Sequence, residues 1–166
     1  MVSTMSSKEV TIRPATKKDI PGVDSLWEEA AQYHGELDSR LMMRFEDTRA
    51  ITELHTKQLT ADQSLFLVAI SEEVVVGYVI ARIVETQPHH HIQRVGVVDG
   101  MGVTSDFRGR GIGSALYERV LNWMLTNQIE RLDTYVATKN PRAQAFWKRK
   151  GFVPRMYQIS LDLTSK

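Results

Sequence analysis

The residues whose types and spacing can do chemistry cluster near the middle of the chain. The run Gly100 to Gly113 reads GMGVTSDFRGRGIG and ends on Arg108-Gly109-Arg110-Gly111-Ile112-Gly113. An apolar, valine-rich run, Val95 to Val103, precedes it, and a stretch of helical periodicity follows. A strand that turns through a glycine-rich, arginine-bearing loop into a helix start is a built anion site. Glycine takes positive φ angles without steric cost and lets backbone come close to a ligand. The helix start adds unpaired N–H groups and the positive end of the macrodipole. A phosphate-bearing ligand is the expectation.

Two familiar phosphate loops do not match. The P-loop needs a Lys-Ser or Lys-Thr pair after its last glycine, and none follows a glycine here. The dinucleotide fingerprint G-x-G-x-x-G wants an acidic residue about 20 positions on, within a parallel βαβ unit; Gly109, Gly111 and Gly113 give G-x-G-x-G without that unit. His89-His90-His91 invites a metal reading. Consecutive strand residues point alternately, however, and no Asp, Glu or His partners stand at ligand spacing, so a solvated loop and no metal site is expected. In the strand before the glycine loop, period two assigns Asp99, Met101 and Val103 to one face.

The elements that must position these residues follow from periodicity. Val10 to Arg13 alternates as a first strand, and Thr16 with Asp19 resembles a capping box. Val23, Leu26, Trp27, Ala30, Ala31 and His34 recur at helical spacing up to Gly35, and Ile51, Leu54, His55 and Leu59 mark a second helix. Ser64 to Ile70 and Val74 to Val84 read as strands joined by a turn at Ser71-Glu72-Glu73, and Ile92 to Val103 as the strand entering the glycine loop. Ile112, Leu116, Val120 and Trp123 or Met124 share a helix face, Leu132 to Ala137 is a strand, and Asn140-Pro141 opens a short helix closed by Gly151. Phe152-Val153 and Tyr157 to Leu163 are expected as final strands. The order β-α-α-β-β-β-α-β-α-β-β makes a mixed α/β domain with a mainly antiparallel sheet.

At 166 residues and 42% hydrophobic, one globular domain over residues 10–163, after a frayed start at 1–9, is expected. The chain has no cysteine, so neither disulfides nor a thiol nucleophile enters. No apolar run approaches the roughly 20 residues of a membrane span, and the opening residues lack the apolar region of a signal peptide, so a cytoplasmic protein without membrane attachment is expected. The net charge of +1 hides an asymmetry: residues 1–100 hold 10 Lys or Arg against 15 Asp or Glu, and residues 101–166 hold 11 against 5. The basic half carries the glycine loop, which suits a polyanion. Its basic residues are scattered over helix surfaces, unlike a nucleic-acid footprint, and no nucleic-acid partner is expected.

Two separated motifs make the chain similar to the GNAT superfamily of N-acetyltransferases. The first is Arg108-x-x-Gly111-x-Gly113, with apolar Val103 five positions before the arginine; the second is Asn140, Ala143, Phe146, Gly151 and Phe152 in the pattern N-x-x-A-x-x-F-Y-x-x-x-G-F. The resemblance covers about residues 10–163. It implies the GNAT fold, a mixed sheet with a splay between strands four and five and helices on both faces. It also implies acetyl-CoA as co-substrate. The backbone N–H groups of Arg108, Gly109, Arg110, Gly111, Ile112 and Gly113, with Ser114, would bind the pyrophosphate. The backbone of Met101 and Val103 would pair with the pantetheine arm, and Asn140 and Phe146 would contact the rest of it.

For the reaction, the resemblance implies a strand-four amide, that of Val103, polarising the thioester carbonyl. Asp99, where many members carry a Glu, would serve as base for the acceptor amine, with Glu85 and the histidine loop as rivals. Trp147 replaces the family's tyrosine, and an indole N–H is no general acid; Tyr157, or Tyr135, is the substitute donor. The implied function is acetyl transfer from acetyl-CoA to a primary amine of a small molecule, peptide or protein. The alternative is a CoA-binding sensor or scaffold with little turnover. Glu28, Glu29, Glu36 and Asp38 lie where the family builds its acceptor site, and the acidic first half leans to a cationic acceptor. Dimers are common in the family, and Tyr157 to Leu163 is the expected interface strand of a homodimer.

Overall fold

A computed structural model describes residues 9–43 and 48–163. The frayed start expected at residues 1–9 lies, except for Glu9, outside them. The chain falls into two compact units, Met1–Tyr135 and Val136–Lys166.

The first unit is built on five strands in sequence order: β1 (Thr11–Pro14), β2 (Ser64–Ser71), β3 (Val74–Glu85), β4 (Arg94–Val103) and β5 (Leu132–Thr134). The first four run antiparallel and β5 joins β4 in parallel. The period of two divides β2 and β3 between two apolar layers. Phe66, Val68, Tyr78 and Ile80 pack with Ile20, Val23 and Leu26 of helix α1 (Ile20–Leu37). The opposite face receives helix α3 (Ile112–Thr126), which buries Ile112, Leu116, Tyr117, Val120 and Met124. Gly96 of β4 marks how closely that helix packs: a Cβ there would stand 2.4 Å from the Met124 sulfur. Helices thus lie on both faces of a mixed sheet.

Local chemistry accounts for the element ends. The Asp19 carboxylate accepts from the Thr16 backbone N–H at 2.7 Å and from its hydroxyl at 2.8 Å, while Arg13 donates to both carboxylate oxygens at 2.8 and 2.9 Å. Asp19 is buried, and the Arg13 guanidinium chiefly holds its pKa down, to about 2. Helix α1 passes Gly35 and ends at Leu37, with His34 accepting from the Asp38 N–H. Helix α2 (Arg49–Leu59) is tied to α1 by buried His55, whose Nδ1 lies 2.6 Å from Asp24, and by Thr52, which donates to the same carboxylate. Between β2 and β3, Glu72 and Glu73 both adopt positive φ, 49° and 64°.

In the second unit, helix α4 (Pro141–Arg149) starts as its residues dictate: Asn140 Oδ1 accepts from the Ala143 N–H at 3.0 Å, and proline holds the first position. It ends in a Schellman motif. Gly151, at φ 89°, donates to Lys148, Phe152 donates to Trp147, and the Trp147 and Phe152 rings meet at 4.9 Å. The expected strands at Phe152-Val153 and Tyr157–Leu163 are not formed. Residues 152–163 are irregular, and Tyr157, Ile159, Leu161 and Leu163 are exposed. Their alternation meets the local requirement for a strand, but a strand also needs a ladder, and none of the sheet's ladders includes this segment.

Candidate functional site

The junction of β4, the glycine loop and α3 has the geometry of an anion cradle. Gly109 and Gly111 stand at φ 75° and 83°, in the left-handed region where L side chains are strained. A Cβ on either would meet nothing within 4 Å, so the positions need glycine for backbone angle and open onto free space. Gly111 caps α3, and Ile112 and Gly113 open its first turn. Among the described residues, no hydrogen bond engages the backbone N–H groups of residues 109–114; the first helical bond is that of Ala115 to the Gly111 carbonyl. Six orphan donors therefore converge with the positive end of a 15-residue helix.

Next to this loop β4 loses a neighbour. Its pairing with β5 stops at Val98 with Thr134, while β4 continues to Val103, still paired with β3. The strand thus presents a backbone edge over residues 99–103 beyond its last β5 partner, which is the splay the sheet was expected to have.

Asp99 sits at the start of that edge, and there the period of two fails. Ile80 pairs with Gly100 and Ala81 with Val98, so Asp99 is the extra residue of a β-bulge. Met101 and Val103 pair with Val79 and Gly77, on the α3 face. Asp99 instead reaches the α1 face, where its Oδ2 accepts from Arg82 Nε at 2.7 Å. The inference that Asp99, Met101 and Val103 share one face is corrected: one inserted residue turns Asp99 to the other side. Its side chain is 20% exposed and that of Arg82 is 49% exposed.

Comparison with known proteins now decides the family. Residues 23–152 match the Acetyltransferase (GNAT) family. The chain belongs to the GNAT family of acetyltransferases. A mycothiol acetyltransferase of Beutenbergia cavernae is 36% identical over 59 residues, a match spanning 36% of this chain and only 20% of that relative. Among solved structures, a mutant of a Bacillus halodurans protein superposes with a TM-score of 0.81 at 21% identity, over 92% of this chain and 99% of that one. An aminoglycoside N-acetyltransferase in complex with CoA superposes with a TM-score of 0.73 at 18% identity, over 97% and 99% of the two chains. At these identities the structures show a shared fold.

Within this GNAT fold, Arg108 is used differently from its loop neighbours. Its backbone N–H is bonded to the Ser105 carbonyl at 3.2 Å. Its Nε donates to the Val103 carbonyl at 2.8 Å and its Nη2 to Glu29 of α1 at 2.7 Å. The motif arginine therefore clamps the loop to the end of β4 and to α1. Arg110 lies over the Phe107 ring at 4.8 Å, a cation–π contact.

Asn140, Phe146 and Tyr157 belong to the second unit and are described there alone. Asn140 is buried and commits its Oδ1 to the helix cap. The Phe146 ring stands edge-on to Trp147 at 5.1 Å. Tyr157 is 80% exposed on irregular chain, without the strand that would have held it. His89 to His91 lie in an exposed loop, and among the described residues no group of three ligand-type side chains converges.

The sequence reading passed over two residues of the site. Arg82 was legible as the one charge inside the apolar run Val74 to Val84. Tyr78 was not: its ring lies against Gly100 and Gly102 on the α1 face of β4, and burial pushes its phenol far up.

Proposed function

We propose that this chain is an acetyl-CoA-dependent N-acetyltransferase in which an acceptor amine attacks the thioester directly. The observation that carries this reading is the set of orphan N–H groups at residues 109–114, beside a β4 edge that has lost its partner. The loop supplies donors for a pyrophosphate, from Gly109, Arg110, Gly111, Ile112, Gly113 and Ser114. Arg108 contributes by holding the loop in place. The open edge at Met101 and Val103 supplies backbone groups for an extended amide-bearing arm, by the same pairing that adds a strand to a sheet.

An alkyl ammonium, with a pKa around 10, has no lone pair to attack with. Asp99 is the proposed proton acceptor, through the oxygen that Arg82 does not hold. As the C–N bond forms, the Val103 amide steadies the charge on the carbonyl oxygen. The C–S bond then breaks, and the sulfur leaves as thiolate. A thiol pKa around 8.5 makes that departure workable without a protein acid, and Trp147 offers none. Tyr157, the donor expected from the sequence, is retained only as a candidate that its exposure does not favour.

The test is thiol release from acetyl-CoA against amino acids, polyamines, aminoglycosides and peptides, with Asp99→Asn alongside. Release with at least one class is expected, falling roughly 10²-fold or more in the variant. Silence across the panel with CoA bound tightly points instead to a sensor or scaffold, the reading that Trp147 favours. A cytoplasmic homodimer joined through residues 157–163 belongs to the same proposal. Four exposed apolar residues at alternate positions there support it, and sedimentation of the truncated chain tests it.

A further inference from the structure

Arg82 and Asp99 form a matched pair of charges at the start of the open β4 edge, on the α1 face. Arg82 stands in a strand whose neighbours Ile80, Ala81 and Ile83 are buried, while its own side chain is 49% exposed and reaches out from the sheet. Only Nε is engaged: among the described residues Nη1 and Nη2 have no partner, nor does Asp99 Oδ1. A free guanidinium fork fits a carboxylate with two parallel hydrogen bonds. The free carboxylate oxygen beside it fits an ammonium.

The surrounding charges sharpen the choice of ligand. Asp133 pairs with Val97 in the parallel ladder, on the same face as Arg82, and its Oδ2 accepts from Arg131 at 3.1 Å. Glu29 is bound to Arg108. Each of these three acids is thus matched by an arginine, so this end of the sheet does not present the net negative field that a simple polycation requires. It presents adjacent plus and minus.

We infer that Arg82 and Asp99 are the acceptor-recognition pair, and that the acceptor is a zwitterion of the α-amino acid kind. Its carboxylate lies on the Arg82 fork and its amine on Asp99. In such a molecule the ammonium nitrogen and the carboxylate carbon are two bonds apart, a short span like that between the two side chains. This inference rests on the acetyl-transfer reading and names its substrate class. Arg82 acts as a specificity residue, and Asp99 keeps its place as base.

The experiment compares each proteinogenic α-amino acid with its methyl ester in the thiol-release assay, for wild type, Arg82→Gln and Arg82→Lys. Calorimetry of the CoA-loaded protein with the same compounds runs in parallel. The expected result is preference for at least one free acid over its ester. In Arg82→Gln, KM for that acid should rise roughly 10- to 100-fold relative to KM for its ester, while kcat, which also feels the loss of the Asp99 partner, changes alike for acid and ester. Arg82→Lys, which keeps the charge but not the fork, should recover part of the loss. Esters accepted as well as acids, or an Arg82→Gln variant that leaves the acid-to-ester ratio unchanged, overturns the inference. If no thiol is released but the CoA-loaded protein binds an acid in preference to its ester, recognition stands and the acetyl-transfer reading falls. If CoA binds and no amino acid does, the recognition pair is refuted whatever the protein's activity.

Discussion

Replacing Arg108 with methionine separates two roles that the motif alone cannot distinguish. If the side chain is a clamp, the loss is structural and its size follows from the contacts. The bond from Nε to the Val103 carbonyl is a charged-donor hydrogen bond at 2.8 Å, worth about 1–1.5 kcal/mol on a partly exposed strand end. The pair with Glu29 joins side chains 35% and 44% exposed, so water screens it and about 0.5 kcal/mol is its ceiling. Arg108→Met should therefore cost about 2 kcal/mol, a fall in Tm of about 4–8 °C for a chain of this size. Glu29→Gln should cost no more than about 0.5 kcal/mol, and the double variant should show coupling of about that amount. Thermal melts of the four proteins, with CoA titrated into each, measure both quantities. CoA affinity should fall less than about tenfold, because the orphan N–H groups of residues 109–114 remain. A loss beyond about 100-fold with an unchanged Tm would make Arg108 a direct phosphate ligand and refute the clamp.

Further outcomes follow from other parts of the structure. Asp19 titrates near 2 when folded, against an ordinary 3.8, so its contribution is full above pH 3.8 and is lost as pH falls through about 2. Asp19→Asn should lower stability by about 2 kcal/mol at pH 7 and by little near pH 2, as denaturant melts at the two pH values will show. Glu73 holds φ 64° in a two-residue turn, where glycine avoids a strain of roughly 1 kcal/mol but loosens the unfolded chain; Glu73→Gly should raise Tm by about 1–3 °C. Asn140→Ala removes the cap of α4 and should cost about 1 kcal/mol, with Asn140→Asp recovering most of it.

The glycine loop was legible because its chemistry is local. Positive φ at Gly109 and Gly111 and a helix opening at Ile112 follow from residue type and the onset of helical period. The same holds for the Asn140-Pro141 start and Gly151 stop of α4, where each signal lies within one turn of its effect. Asp99 shows where locality ends. A bulge adds one residue to one strand and so depends on pairing with β3, which no period in β4 reveals. Arg108 fits a family motif, but its partner Glu29 is 79 residues away, so the motif could suggest a phosphate ligand and not a clamp. The failure at Tyr157–Leu163 is of the same kind: alternation states what a strand would bury and is silent on what pairs with it.

The central claim is that the loop at residues 109–113 and the first turn of α3 hold the pyrophosphate of CoA. Gly111→Glu tests it most directly, by placing a carboxylate and a left-handed strain where the donors converge. Calorimetric titration of CoA into wild type and variant, with circular dichroism confirming that both are folded, gives the answer. Saturable binding to wild type and none to the folded variant is the expected result. A folded Gly111→Glu protein that binds CoA as tightly as wild type would remove the phosphate site from this loop.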